Sequence, residues 1–177
     1  MKNILVIYGS KYGSSEQYAH MIEKNIKCKT VKAESITSDM IKSACMLIFI
    51  GGIYAGKLKG LDALHKKIHL FNGNKVILIA VGASPYDESA VKHLREKCTK
   101  GFPEGTAFFY ARGSYNEKGM TFTDRTMCRM LRKSISKKAP DELEPWMIAM
   151  LEAGENSCSW VNESYLQPVY TYIKAAQ

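Results

Sequence analysis

Asn3-Ile4-Leu5-Val6-Ile7-Tyr8-Gly9-Ser10-Lys11-Tyr12-Gly13-Ser14-Ser15 is the stretch on which the fold turns. Asn3–Tyr8 reads as one apolar run, the pattern of a strand covered on both faces. A Gly/Ser loop follows. Ser14 to about Lys27 then places Tyr18, Met21, Ile22 and Ile26 at helical spacing. A loop that joins a buried strand to a helix start presents free backbone N–H groups and the positive end of the helix dipole. A phosphate fits that setting. Ser10, Ser14 and Ser15 add hydroxyl donors, and Gly13 permits the tight turn. The dipole contributes only about 0.3–1 kcal/mol where exposed, so neutral donors must supply most of the binding.

Outward from this stretch the same alternation continues. Cys28–Ala33 reads as a second, peripheral strand and Ser38–Ser43 as a short helix capped by Ser38. Cys45–Ile50 is the most apolar run and predicts a central strand. Leu58 to about Leu70 reads as a helix stopped by Asn72-Gly73-Asn74. Val76–Val81 is a fourth strand, Glu88 to about Cys98 a helix, and Thr106–Tyr110 a fifth strand. Strands alternating with helices predict an α/β fold, a doubly wound five-stranded parallel sheet covered on both faces. Right-handed crossovers then favour the order 2-1-3-4-5.

After Tyr110 the alternation breaks. Arg112–Gly119 is polar, Thr123–Lys138 is a basic helix, and Pro140–Ala153 is a further helical segment. Gly154–Ser159 reads as a loop, and Val161–Ala175 as the closing helix. Residues 1–177 are therefore expected to form a single domain with a helical insertion at about 112–159, between the last strand and the last helix.

Other phosphate loops do not match. A Walker loop needs Gly-Lys-Ser/Thr after a four-residue gap, and the dinucleotide fingerprint needs three spaced glycines. A phospho-acceptor receiver needs an aspartate closing the third strand, where this chain has Ile50-Gly51. The loop instead resembles that of the flavodoxin family, Thr/Ser-x-Thr-Gly-x-Thr. Ser10, Gly13 and Ser15 match, whereas Tyr12 replaces the usual threonine. The resemblance covers about residues 2–111 plus the final helix. It implies a flavodoxin-like fold with FMN as cofactor, its phosphate held by Ser10, Lys11, Tyr12, Gly13, Ser14 and Ser15.

In that family the flavin ring lies between the loops after the third and fourth strands. Here those loops are Gly51–Lys57 and Gly82–Asp87. The resemblance assigns the ring to Gly52, Ile53, Tyr54, Ala55 and Gly56 on one side, and to Gly82, Ala83, Ser84 and Tyr86 on the other. Glycines allow backbone groups close to the polar edge of the ring, and tyrosines can stack on its face. Short electron-carrying flavodoxins surround this place with acidic residues. Lys57, Lys59 and the basic insertion carry the opposite charge.

The insertion bears a second, narrower resemblance. Tyr110-Ala111-Arg112-Gly113-Ser114-Tyr115 and Phe122-Thr123-Asp124-Arg125-Thr126-Met127 look like the menaquinone-dependent protoporphyrinogen oxidase branch of flavodoxin-like proteins. Met127, Cys128, Leu131 and Ile135 fall along one side of the helix, with Arg125, Arg129, Arg132, Lys133 and Lys137 over much of the rest. Three readings stay open. The apolar stripe packs on the domain and the charges are solvated, or arginines receive anionic groups of a porphyrin, or residues 112–138 touch an anionic membrane surface.

The net charge is +8, and Arg112–Lys138 accounts for most of it: eight cations stand there against Glu117 and Asp124 alone. No aromatic platform accompanies them, so a nucleic-acid partner is not expected. The five cysteines are scattered, without Cys-x-x-Cys, which argues against a disulfide framework or a metal cluster. His65 and His69, four apart, suggest no third ligand, and no metal is expected. Asp141, Glu142 and Glu144 fit a helix start. Met1-Lys2-Asn3 leads straight into the first strand without a signal peptide, and no run is long enough to span a bilayer. The expected address is cytoplasmic, with peripheral contact at the inner membrane face left open. Three functions remain: an FMN-dependent oxidoreductase acting on a small molecule or quinone, a one-electron carrier for a redox partner protein, and a non-redox module that has lost its flavin.

Overall fold

The computed structural model describes residues 3–54, 56–71 and 73–176. Strand β1 (Ile4–Gly9) runs through the loop into helix α1 (Ser14–Ile26). The chain continues through β2 (Lys29–Lys32), α2 (Ser38–Ser43), β3 (Met46–Tyr54), β4 (Lys57–Leu58) and α3 (Leu61–His65). Then come β5 (Lys75–Gly82), α4 (Glu88–Thr99), β6 (Ala107–Arg112), β7 (Ser114–Asn116), α5 (Phe122–Ile135), α6 (Pro145–Ala153), β8 (Ser157–Ser159) and α7 (Gln167–Ala175).

The main sheet has the order β2-β1-β3-β5-β6, all parallel, with β4 turned back antiparallel on the end of β3. Setting β4 aside, this is the expected order 2-1-3-4-5. Alternation along each central strand divides the core in two. Ile4, Val6, Tyr8, Ile48, Ile50, Ile77 and Ile79 face Tyr18 and Ile22 of α1 and Val169, Tyr170 and Ile173 of α7. Leu5, Ile7, Leu47, Phe49, Val76 and Leu78 face Ile41 of α2, Leu61 and Leu64 of α3 and Cys98 of α4. A layer of helices thus covers each face, which is what continuous apolar strands require.

Several boundaries differ from the sequence-based expectation. The cap of α2 is Thr37, whose hydroxyl accepts from Met40 N at 3.3 Å, and not Ser38. The helix expected over Leu58–Leu70 is broken into β4, α3 and a 3₁₀ turn at Ile68–Leu70. Leu58 pairs with Ile53 instead of starting a helix. Its expected stop at Asn72 lies outside the described residues. Pro140–Ala153 is likewise a 3₁₀ turn followed by α6. Pro145 pushes Glu144 into extended backbone (φ −75°, ψ 157°), so the helix starts afresh after it. The expected loop Gly154–Ser159 contains β8, which pairs antiparallel with β7 through Ser114↔Ser159 and Asn116↔Ser157. The final helix starts at Gln167, after a 3₁₀ turn. The five cysteines are free. Among the described residues no helix is long and apolar enough to cross a membrane.

Helix α5 departs most from the simplest reading. Ile135 is buried and Cys128 half-buried, but Met127 and Leu131 are 60% and 43% exposed. The arginines turn inward instead. Arg129 Nε donates to Glu117 Oε1 at 2.8 Å, Arg132 pairs with the other carboxylate oxygen, and Arg125 Nε donates to the Glu117 carbonyl at 3.1 Å. One carboxylate, Glu117, 1% exposed, therefore organises the inner face of the helix. The reading in which the apolar stripe packs and the charges are solvated thus describes only part of the helix: Lys133 and Lys137 are exposed, while Arg132 is drawn in to Glu117.

Candidate functional site

Three loops meet at the carboxyl ends of β1, β3 and β5, where the chain's winding about the sheet reverses. In the first, Gly13 takes φ +92° as the residue before α1, a left-handed conformation that favours glycine. A Cβ there would meet only the Gln17 side chain, at 3.8 Å, so the approach to the helix start is open. Gly13 N donates to Ser10 Oγ at 3.0 Å, which holds the loop in its turn. Ser15 is buried, and Lys11 is the exposed cation of the loop. The donor set is therefore helix N–H groups, hydroxyls and one ammonium, chemistry that fits a phosphate.

The second loop abuts the first. A Cβ on Gly52 would lie 3.5 Å from Ser15 Oγ and 2.9 Å from the Tyr54 ring. The Tyr54 ring stands 6.2 Å from that of Tyr12, and Lys11 Nζ lies 5.9 Å from its centre. Burial pushes the Tyr54 phenol up to about 12, so it is neutral at ordinary pH. Lys97 Nζ donates to Gly56 O at 2.8 Å and anchors the tip of the loop to α4. Ala55 lies outside the described residues.

The third loop is held by β6. Tyr110 Oη donates to Ser84 O at 2.7 Å, and Arg112 Nε to Ala83 O at 3.0 Å. The Arg112 guanidinium in turn lies 3.9 Å over the Trp160 ring. Gly82 O accepts from Gly113 N at 2.7 Å, and the Gly82 backbone has the Ile53 side chain against it. Tyr86 is 62% exposed, with its ring edge-on to Tyr110 at 6.1 Å. The loops carrying Ser10–Ser15, Gly52–Tyr54 and Gly82–Ser84 thus lie together at one end of the sheet.

The flavodoxin domain model matches residues 5–142. The chain belongs to the flavodoxin domain family. Solved structures similar to this flavodoxin domain include the two-electron reduced flavodoxin of Megasphaera elsdenii, with 16% identity, covering 62% of this chain and 84% of that one, at a TM-score of 0.46. The flavodoxin, WrbA-like protein of Agrobacterium tumefaciens has 16% identity, 71% and 88% coverage, and a TM-score of 0.48. An apo NADH:FMN oxidoreductase (EMOB) has 14% identity, 63% and 76% coverage, and a TM-score of 0.48. No curated protein sequence matches the chain. The family match stops at the flavodoxin domain and does not reach the protoporphyrinogen oxidase branch.

The insertion supplies residues to this flavodoxin domain's first loop that sequence reading left out. Asp124, at the start of α5, bonds both Lys11 Nζ and Tyr12 Oη. Thr121 N donates to Tyr12 Oη at 3.3 Å. Ser114 Oγ lies 2.7 Å from Ser14 Oγ, and Ser114 N donates to the same hydroxyl at 3.1 Å. The pairing with Asp124 holds the Lys11 ammonium charged and the Asp124 carboxylate ionised, each beyond its ordinary range. Asp124 sits in the run that marks the narrower resemblance, so its position was visible although its role was not. A separate hollow of about 570 Å³ lies between α5 and α6, lined by Arg129, Arg132, Lys133, Ser136, Leu151 and Glu155. Its arginines already pair with Glu117 and Glu155. This leaves little for the reading in which those arginines receive anionic groups of a porphyrin. His65 packs edge-on against Phe102 at 4.7 Å, and the described residues hold no cluster of metal-binding side chains.

Proposed function

We propose that this chain holds FMN across the three loops and uses it to oxidise a reduced small molecule, passing the electrons to a quinone. The observation that carries the reading is the convergence of the helix-start donors, the Lys11 ammonium and the Tyr12–Tyr54 pair at one end of the sheet. Ser10, Lys11, Tyr12, Gly13, Ser14 and Ser15 receive the phosphate. Gly52, Ile53, Tyr54 and Gly56 take one side of the ring and Gly82, Ala83, Ser84 and Tyr86 the other. Bound FMN supplies reversible acceptance of electrons. The substrate gives up two electrons and two protons, and the quinone takes up both to leave as the quinol. Tyr110 and Arg112 fix the carbonyls of the third loop, so the cofactor meets a preset frame.

Ser114 and Asp124 brace the first loop through Ser14, Lys11 and Tyr12. The test is the visible spectrum of the purified chain after FMN is added and excess removed by desalting. Flavin bands that stay with the protein support the proposal, and a colourless protein sinks it. Ser15→Val removes a buried hydroxyl donor and is expected to raise the FMN dissociation constant about 10–100-fold, measured by fluorescence titration. Stepwise reduction then separates the two redox readings. Bleaching in one stage supports the two-electron enzyme, whereas two resolved stages favour the carrier with a redox partner protein.

A further inference from the structure

The outer face of α5 is dressed for a surface that is both apolar and anionic. At 100° per residue, Asp124, Arg125, Cys128, Arg129, Arg132 and Ile135 fall on the inward half of the helix. The outward half carries Phe122, Thr123, Thr126, Met127, Met130, Leu131, Lys133 and Ser134, and not one carboxylate. Phe122 is 83% exposed, Met130 68% and Met127 60%. Ile148 of the neighbouring α6 is exposed as well. Among the described residues, four of the six exposed large apolar side chains thus belong to this one helix. A cluster of that kind marks an interaction face, since scattered single exposures would be the ordinary case.

Charge selects the partner. Arg129 and Arg132 are paired with Glu117 and Glu155, Arg125 is spent on the carbonyls of Glu117, Lys118 and Met120, and Lys11 is paired with Asp124. Lys118, Lys133, Lys137 and Lys138 are exposed and form no ion pair among the described residues. A second copy of the chain would bring the same lysines against themselves, on a molecule of net charge +8. An anionic bilayer surface meets both needs: Phe and unbranched Met side chains enter the acyl boundary while flanking lysines reach the headgroups.

The geometry points to docking of the outward face of α5 on an anionic membrane surface, through Phe122, Met127, Met130 and Leu131 flanked by Lys118 and Lys133. Met127 lies three residues from Asp124, a rise of about 4.5 Å, so the docked face begins within a turn of the residue that grips Lys11. The docking stands whether or not the chain binds FMN.

Cosedimentation of the full chain with vesicles tests it. Phosphatidylcholine vesicles containing about one-third phosphatidylglycerol are expected to bind the chain, and pure phosphatidylcholine vesicles to leave it in the supernatant. Binding should weaken as sodium chloride is raised, because the lysine attraction is screened. Met127→Ser/Met130→Ser is expected to weaken partitioning about tenfold or more, with an unchanged far-ultraviolet circular dichroism spectrum. Phe122→Ser, at the most exposed position, should act in the same direction. Equal binding to neutral vesicles, unweakened binding by both variants, or no binding to anionic vesicles would overturn the proposal. So would a dimer in sedimentation velocity that the serine variants abolish while vesicles remain unbound, which would assign the face to a second copy.

Discussion

Glu117→Ala is expected to unfasten the insertion while leaving the five-stranded sheet folded. Its carboxylate takes Arg129 Nε, Arg132 Nη1 and the Tyr115 hydroxyl, the last at 3.0 Å. Arg132 also donates to Gly154 O at 2.7 Å, and so ties α5 to the end of α6. Removing the anion leaves the mostly buried Arg132 guanidinium with only the exposed Glu155 at 3.5 Å, a change that approaches the loss of about 3–5 kcal/mol when one partner of a buried pair is removed. Trypsin should then cut at Arg125, Arg129 and Arg132 much faster than in the parent protein, while fragments of the sheet resist. Burial alone would raise the pKa of this carboxyl, but the bonds from Arg132, Arg129 and Tyr115 outweigh it and hold the group at about 2, below its ordinary 4.5. A group whose folded pKa is depressed stabilises fully above its unfolded value and loses that contribution as pH falls. Protection of the insertion should therefore fade between about pH 4.5 and 2, and Glu117→Gln should lack that dependence. Equal proteolysis of parent and alanine variant would show that the carboxylate does not hold the segment.

Gly9→Ala is expected to be the most damaging small substitution in the sheet. A Cβ at that position would lie 1.9 Å from Lys59 O, 2.6 Å from Lys59 C and 3.1 Å from Gly60 Cα. All three are backbone atoms, so no side chain can rotate aside. Either the end of β1 or the turn that leads into α3 must move, and overpacking of this kind costs about 1–3 kcal/mol or more. The strain falls on the residue immediately before Ser10, so FMN retention should drop together with the urea midpoint. A variant as stable as the parent would mean that the turn at Lys59-Gly60 is free to yield.

The sheet was legible because its central strands are buried on both faces. Runs such as Cys45–Ile50 and Val76–Val81 read as strands without any long-range information. The adjacency of the three loops followed, since loops at strand ends inherit their places from the strand order. Shorter pairings escaped. Lys57–Leu58 and Ser157–Ser159 are too short to show a period, and each is a strand only because a distant or reversed partner accepts it. Asp124 and Ser114 escaped for a related reason, being far along the chain from the Lys11 and Ser14 they touch. Helix α5 was found but its rotation stayed open. Its apolar residues fitted an inner or an outer face equally, and nothing in the local pattern disclosed that Glu117 would bond Arg125, Arg129 and Arg132.

The pairing of β7 with β8 has a consequence for how this chain is put together. Trp160 N donates to Gly113 O at 3.0 Å, just outside the rungs Ser114↔Ser159 and Tyr115↔Cys158. The excursion thus departs and returns through a single neck, and the sheet bears the loop-closure cost of a short bridge whatever length hangs beyond it. Excision of Ser114–Ser159, with Gly113 joined to Trp160 through two glycines, should leave β1 to β6 and α7 able to close. What such an excision takes from the first loop is its outside bracing, the bonds of Ser114 to Ser14 and of Asp124 to Lys11 and Tyr12, much as a branch cut at its node takes its props with it.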